Sequence, residues 1–127
     1  MKRPYSQIYF PAAPLLQVRF GNPENMQYTK VADGFIDTSA DSTIVPISFM
    51  REIGAAIGGL QSLRSQWGEA RTVKTYIVDV EVEGINFPGI WVVGDEIGDE
   101  IVLGRNLLNR MRILLDGLAE TIEIMND

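Results

Sequence analysis

The stretch "TVKTYIVDVEVEG", from Thr72 to Gly84, alternates its side chains with a strict period of two. Its even-numbered positions from Tyr76 to Val82 are apolar, whereas Asp79 and Glu81 fall on the opposite side. Successive residues of a β-strand point to opposite faces, so this pattern is typical of a strand with one buried face. The chain must therefore build at least one sheet.

Further strand and turn signals run along the chain. "PLLQVRF" leads into the turn-forming cluster "GNPEN", and "TKVADGFID" follows as the returning arm of a hairpin. "INFPGIWVVG" and "EIVLG" predict two more strands, and Asp116-Gly117 predicts a two-residue turn inside the C-terminal hairpin "RILLDGLAETIEIM".

Two segments have helical spacing instead. "ISFMREIGAAIGG" places apolar residues at helical intervals, and Gly58-Gly59 is a plausible end for this helix. The inward positions predicted for it are Ile47, Met50, Ile53, Ala56 and Ile57. "RNLLNRM" predicts a second short helix, so the expected fold is mostly β with one or two short helices.

Composition narrows the class of protein. A chain of 127 residues with 46% apolar content suits one compact domain, spanning residues 1–127. The net charge of -6 would repel a phosphate backbone, so nucleic acid is not an expected partner. No apolar run is long enough for a membrane span, and Ser6, Gln7 and Pro11 interrupt any signal-peptide core, so we expect a soluble, cytoplasmic protein without a membrane partner.

The chain contains neither cysteine nor histidine. This excludes thiol nucleophiles, disulfides and Ser-His triads, together with nearly all zinc sites, so no metal or cofactor is expected. Acid-base catalysis near neutral pH must then depend on carboxylates with shifted pKa values, or on a Lys or Tyr.

Two separated motifs together resemble one family. "FIDTSADSTIVP", from Phe35 to Pro46, resembles the apolar-Asp-Thr/Ser-Gly-Ala loop of the retropepsin-like aspartic proteases. "IVLGRNLLNRMRILLDG" is similar to their second motif, in which an apolar run precedes Gly, Arg and Asn or Asp. The resemblance covers about Pro14 to Gly117 and is typical of single-domain bacterial members. It implies a closed β-barrel acid protease fold that works as a dimer.

The implied chemistry uses Asp37. Two carboxylates that share one proton cannot both ionise, so one activates a water and the other polarises the scissile carbonyl of a peptide or protein substrate. The chain holds only one copy of the motif, which implies a homodimer with Asp37 contributed by each subunit. A shared proton also implies a bell-shaped rate profile on the acidic side of neutral.

The resemblance assigns supporting roles to other residues. The Thr38 hydroxyl would bond to the loop of the partner subunit, and Ala40 would line the floor of the cleft. Asp41 would form an ion pair with Arg105 and tie the second helix to the loop. Asn106 would satisfy local backbone groups.

A flap is expected to close over the substrate. The loop "SQWGE" offers Gln66, a large amphipathic Trp67 and a turn-forming Gly68. Gly58-Gly59 is the second candidate for the flap. Trp67 fits an ordinary surface aromatic equally well.

Ser39 departs from the pattern, because the family has glycine at this position. A serine here could narrow the cleft or switch off catalysis, and it is harmless if the local φ is negative. The alternative function is therefore a catalytically inactive dimerisation or peptide-binding module with the same fold. A third reading is an unrelated monomeric β-barrel, in which Asp37 serves only as a turn residue.

The segment "GDEIGDEIVLG" gathers four acidic residues that could be read as a cation site. Their spacing matches no calcium-loop template, so a solvated acidic loop before a strand is the preferred interpretation.

Overall fold

The computed structural model describes residues 1–64 and 68–125, which form ten strands and two short helices. The strands are β1 (Lys2–Pro4), β2 (Leu15–Gly21), β3 (Ala32–Ile36), β4 (Thr43–Pro46), β5 (Gly59–Arg64), β6 (Ala70–Val82), β7 (Ile85–Asp95), β8 (Ile101–Leu103), β9 (Arg112–Asp116) and β10 (Thr121–Met125). The helices are α1 (Ile47–Glu52) and α2 (Arg105–Leu108). The predicted mostly-β fold is confirmed.

Six strands form a closed barrel in the order β2-β3-β8-β4-β7-β6, and β6 pairs back onto β2. The pairs β2–β3 and β6–β7 are antiparallel, whereas β3–β8 and β4–β7 are parallel. Strand β5 adds to β6 outside this ring. Closure removes free edges from the barrel itself.

The alternation predicted from the sequence corresponds to the burial of the two faces of β6 between Val78 and Val82. Val78, Val80 and Val82 are fully buried, while Asp79 and Glu81 on the opposite face are half-buried. With 13 residues, β6 is long enough to pair with β2, β5 and β7.

The first and last segments form a second, three-stranded sheet in the order β1-β10-β9. Ile122 and Ile124 of β10 belong to the same apolar core as the barrel, so this sheet is packed on the barrel. An ion pair of 3.0 Å between Arg3 and Glu83 adds a link from β1 to the β6–β7 turn. Strand β1 was not predicted, because "KRP" carries no apolar alternation.

Two local predictions are wrong. Helix α1 ends at Glu52 and does not reach Gly58-Gly59, because Gly54 adopts a φ of +65° that breaks the helical repeat. Ile57 consequently lies outside the helix and is exposed, as is Ala56. The C-terminal hairpin is joined by the four residues 117–120 and not by a two-residue turn.

Both helices are short. Among the described residues, no helix has the length and apolar character needed to cross a membrane. Helix α2 is held by the burial of Leu107 and Leu108 against the barrel core.

We predict that Leu107→Ala lowers the free energy of unfolding by about 2–5 kcal/mol, since Leu107 is completely buried and its truncation leaves a cavity. Leu118→Ala is the matched control, because Leu118 is fully exposed and should change stability by less than about 0.5 kcal/mol. Urea unfolding of both variants measures the difference. Equal stabilities would show that α2 does not pack as described.

Candidate active site

The two sequence motifs meet where β3 and β8 end side by side. These strands run parallel, with Ile36 opposite Leu103. The backbone N–H of Asp37 continues the pairing by donating to the carbonyl oxygen of Leu103 at 3.1 Å. Because carboxyl ends of parallel strands share one edge, the loop after β3 and helix α2 after β8 start next to each other.

Asp37 is half-buried at the start of this loop. Its Oδ1 accepts a hydrogen bond from the backbone N–H of Ser39 at 3.0 Å and another from the Ser39 hydroxyl at 2.5 Å. The hydrogen bond from the Ser39 hydroxyl is the largest influence on the carboxyl group and lowers the pKa of Asp37, despite partial burial that opposes the shift. The carboxylate is therefore held ionised in the single chain.

Arg105 fastens helix α2 to the loop. Its backbone N–H donates to the carbonyl oxygen of Ala40 at 2.8 Å, and its Nη1 donates to the carbonyl oxygen of Thr38 at 3.0 Å. Arg105 and Asp41 do not form the predicted ion pair. The ion pairs found among the described residues involve other side chains. The guanidinium reaches the carbonyl group of Thr38 instead, so the predicted tie between helix and loop exists with a different acceptor.

Asn106, on α2, links strands β4 and β7. Its Oδ1 accepts from the Thr43 hydroxyl at 2.8 Å, and its Nδ2 donates to the carbonyl oxygen of Trp91 at 2.7 Å. Thr43 Oγ1 in turn accepts from the backbone N–H of Gly104 at 3.2 Å. Asn106 satisfies a backbone group as predicted, but that group lies on β7. The roles of Thr43 and Trp91 were missed, because no local pattern links residues so distant in sequence.

Gly104 lies where the start of α2 packs directly against the backbone of Ser42. A Cβ at this position would overlap the carbonyl group of Ser42, which belongs to the active-site loop. Its φ of -92° is open to any residue, so the close approach alone requires glycine. This contact packs the start of α2 directly against the loop that contains Asp37.

A cavity of about 630 Å³ opens between the loop and the β5–β6 hairpin. Its walls include Ser39, Ala40 and Asp41 from the loop, Leu63 and Glu69 from the hairpin, and Arg105. The last described pair at the tip of this hairpin, Arg64 with Ala70, also lines the cavity.

The loop expected to form the flap, residues 65–69, connects β5 to β6 in the sequence. Gln66 and Trp67 lie outside the described residues, whereas Gly68 is exposed and adopts a φ of +83°. The second candidate, Gly58-Gly59, lies at the start of β5, at the far end of that strand from the tip.

The backbone at Ser39 does not require glycine. Among the described residues other than glycine, positive φ values occur only at Met26, Glu83 and Glu120. Ser39 therefore sits in a conformation that its Cβ tolerates.

The acidic segment before β8 makes a local hydrogen bond and an ion pair with Arg71. Asp95 Oδ1 accepts from the backbone N–H of Ile97 at 2.9 Å and lies 3.5 Å from Arg71 Nη2. Within the part of the chain that the structure describes, no three acidic side chains are grouped as metal ligands.

No protein-family model matches this chain, and no curated protein matches it in sequence. Solved structures do match. A retropepsin-like aspartic protease from Rickettsia conorii has a TM-score of 0.67 at 16% identity, covering 98% of this chain and 88% of its own.

Two further matches come from other organisms. A simian foamy virus protease has a TM-score of 0.54 at 16% identity, covering 76% of this chain and 92% of its own. The retroviral protease-like domain of Ddi1 from Leishmania major has a TM-score of 0.53 at 17% identity, covering 89% and 90%. At such identities the likeness shows the fold, and the predicted closed barrel of this class is confirmed.

We predict that Gly104→Ala destabilises the protein by about 1–3 kcal/mol, because the added methyl group must push the Ser42 backbone away. Gly117→Ala is the matched control, since no atom lies within 4 Å of a Cβ added there. Thermal unfolding compares the two. A Gly104→Ala protein as stable as the control would contradict the close approach.

Proposed function

We propose that this chain, which has the fold of the retropepsin-like aspartic proteases, is an aspartic endopeptidase that acts as a homodimer through Asp37. One observation carries the proposal. A half-buried carboxylate is held by the paired ends of β3 and β8, and the residues that follow it in the loop, from Ser39 to Asp41, line a cavity large enough for several peptide side chains.

The chemistry needs two such carboxylates. In a pair that shares one proton, the ionised member removes a proton from water while the protonated member donates to the scissile carbonyl. A chain with a single Asp-Thr-Ser-Ala loop supplies one carboxyl group, so the partner subunit's Asp37 provides the second across a two-fold axis. Thr38, exposed beside Asp37, is the residue we assign to bracing the two loops.

The free edge of β9 is the face we assign to the dimer. Strand β9 is the outer member of its sheet, and its edge away from β10 pairs with no described strand. Leu114 and Leu115 on β9 are 50% and 44% exposed, which is unusual for a free strand edge in a monomer.

The same strand lies close to the active-site loop. A shallow cavity of about 200 Å³ is lined by Leu115 together with Ile36 and Thr38, which flank Asp37. Antiparallel pairing of two β9 strands would therefore cover the leucines and bring the two Asp37 loops together.

We expect Asp37→Asn to abolish peptide cleavage while the dimer persists, because the amide keeps the shape of the side chain and cannot act as a base. The loss should be on the order of 10³-fold or more. An unbiased peptide mixture at about pH 4 to 7, analysed by mass spectrometry, measures cleavage across the range where carboxylate pairs titrate. Asp33→Asn is the matched control, since Asp33 is an exposed carboxylate on β3, the strand that precedes Asp37.

A variant that cuts as fast as the parent would refute the proposal. If the parent dimer binds peptides and never cuts them at any pH, the chain is the catalytically inactive module of this fold.

We expect Leu114→Asp to convert the dimer to monomers, because facing carboxylates on paired β9 strands would repel each other. Light scattering measures the mass, and cleavage should fall together with the dimer fraction. Leu60→Asp is the control, as Leu60 is 70% exposed on β5, which lies outside the barrel and the terminal sheet. A dimer that survives Leu114→Asp would exclude the β9 edge, and a monomeric parent would exclude the dimeric mechanism.

A further inference from the structure

Ser39 gives Asp37 a partner that glycine cannot supply. Its backbone N–H donates to Asp37 Oδ1 at 3.0 Å, as any residue at this position does, but its hydroxyl donates to the same oxygen at 2.5 Å. Both bonds are local, because Ser39 follows Asp37 by only two residues. The hydroxyl needs no rearrangement of the loop to reach the carboxylate.

The two bonds distinguish the oxygens of Asp37. Oδ1 accepts both hydrogen bonds from Ser39. The backbone N–H of Ala40 also lowers the pKa of Asp37, but less than either bond from Ser39 does. A carboxylate that can rotate freely would present either oxygen to a substrate. Double anchoring of Oδ1 removes this freedom and leaves Oδ2 as the reactive face.

We propose that Ser39 is a positioning residue, whose hydroxyl anchors Asp37 Oδ1 so that Oδ2 faces the catalytic water and the partner subunit's Asp37. This inference rests on the proposed function and deepens it. It also reverses one interpretation of the sequence, in which serine in place of glycine marks a chain that has lost catalysis.

The surroundings of Asp37 add one further charge. Arg105, on α2, lowers the pKa of Asp37 electrostatically, although less than the Ser39 hydrogen bond does. Strand β8 presents the carbonyl oxygen of Leu103 to the loop, and β9 presents the apolar side chain of Leu115. Among the described residues, Ser39 and Arg105 are thus the side chains that stabilise the ionised form.

The sign of the pH effect follows. A depressed pKa keeps Asp37 ionised to lower pH, so the hydroxyl extends the active range on the acidic side. Each subunit carries the same serine, and therefore both limbs of the bell-shaped profile move in the same direction. Removing the hydroxyl must shift the whole profile to higher pH.

The test compares Ser39→Ala, Ser39→Gly and Ser39→Thr with the parent dimer. Two measurements are made: the pH profile of kcat/KM on a peptide that the parent cleaves, and the titration of the Asp37 carboxyl carbon by NMR. Ser48→Ala is the matched control, because Ser48 is exposed on α1.

We expect Ser39→Ala and Ser39→Gly to shift the profile and the Asp37 titration to higher pH. Their maximal kcat should fall about tenfold, which corresponds to about 1.4 kcal/mol of activation free energy. Ser39→Thr retains a hydroxyl and should restore both properties, while Ser48→Ala should match the parent.

Other results would overturn the inference. An Asp37 titration that is identical in the parent and Ser39→Ala excludes the anchoring hydrogen bond, whether or not the protein cleaves peptides. A Ser39→Gly variant that cuts faster than the parent at every pH shows that the serine inhibits catalysis. Absence of cleavage in every variant, with a shifted titration in Ser39→Ala, refutes the proposed protease and places the hydrogen bond outside catalysis.

Discussion

The parallel pairing of β3 with β8 is the contact on which the site depends. It brings together two segments separated by more than half the chain, and the bond from the Asp37 N–H to the Leu103 carbonyl oxygen extends it into the loop. Once the strand ends are aligned, Gly104 lets the two backbones touch and Arg105 fastens the loop carbonyls. The position of the carboxylate is therefore a consequence of strand register.

Burial on the barrel side keeps that register. Leu103 is completely buried, and its side chain would meet a Cβ added at Gly34 on the neighbouring strand, so the two strands approach closely. Ile122 and Ile124 extend the same core into the terminal sheet. The site and the proposed dimer edge consequently share one hydrophobic core, which explains how a chain of this size can support both.

Local signals predicted much of this architecture. The alternation of β6, the hairpin of β2 and β3 and the C-terminal hairpin depend on contacts between near neighbours, for which sequence patterns are informative. The end of α1 was missed, since a left-handed conformation at Gly54 outweighed an apolar spacing that continued to Ile57. Strand β5 was missed because its pairing with β6, and not its own composition, makes it a strand.

The candidate site, like the fold, could be predicted from the sequence only in part. The sequence by itself determined which chemistry is available, because a chain without cysteine or histidine leaves carboxylates, Lys and Tyr as its acids and bases, and the Asp37 motif indicates one carboxylate among them. Only the tertiary structure decided what surrounds that carboxylate. In the folded chain, Arg105 donates to the Thr38 carbonyl oxygen instead of pairing with Asp41, and the Ser39 hydroxyl donates to Asp37. Which hydrogen-bond partner a side chain finds depends on distances of a few ångströms between residues far apart in the chain, or on backbone dihedral angles. Neither the distances nor the angles can be predicted from the sequence pattern.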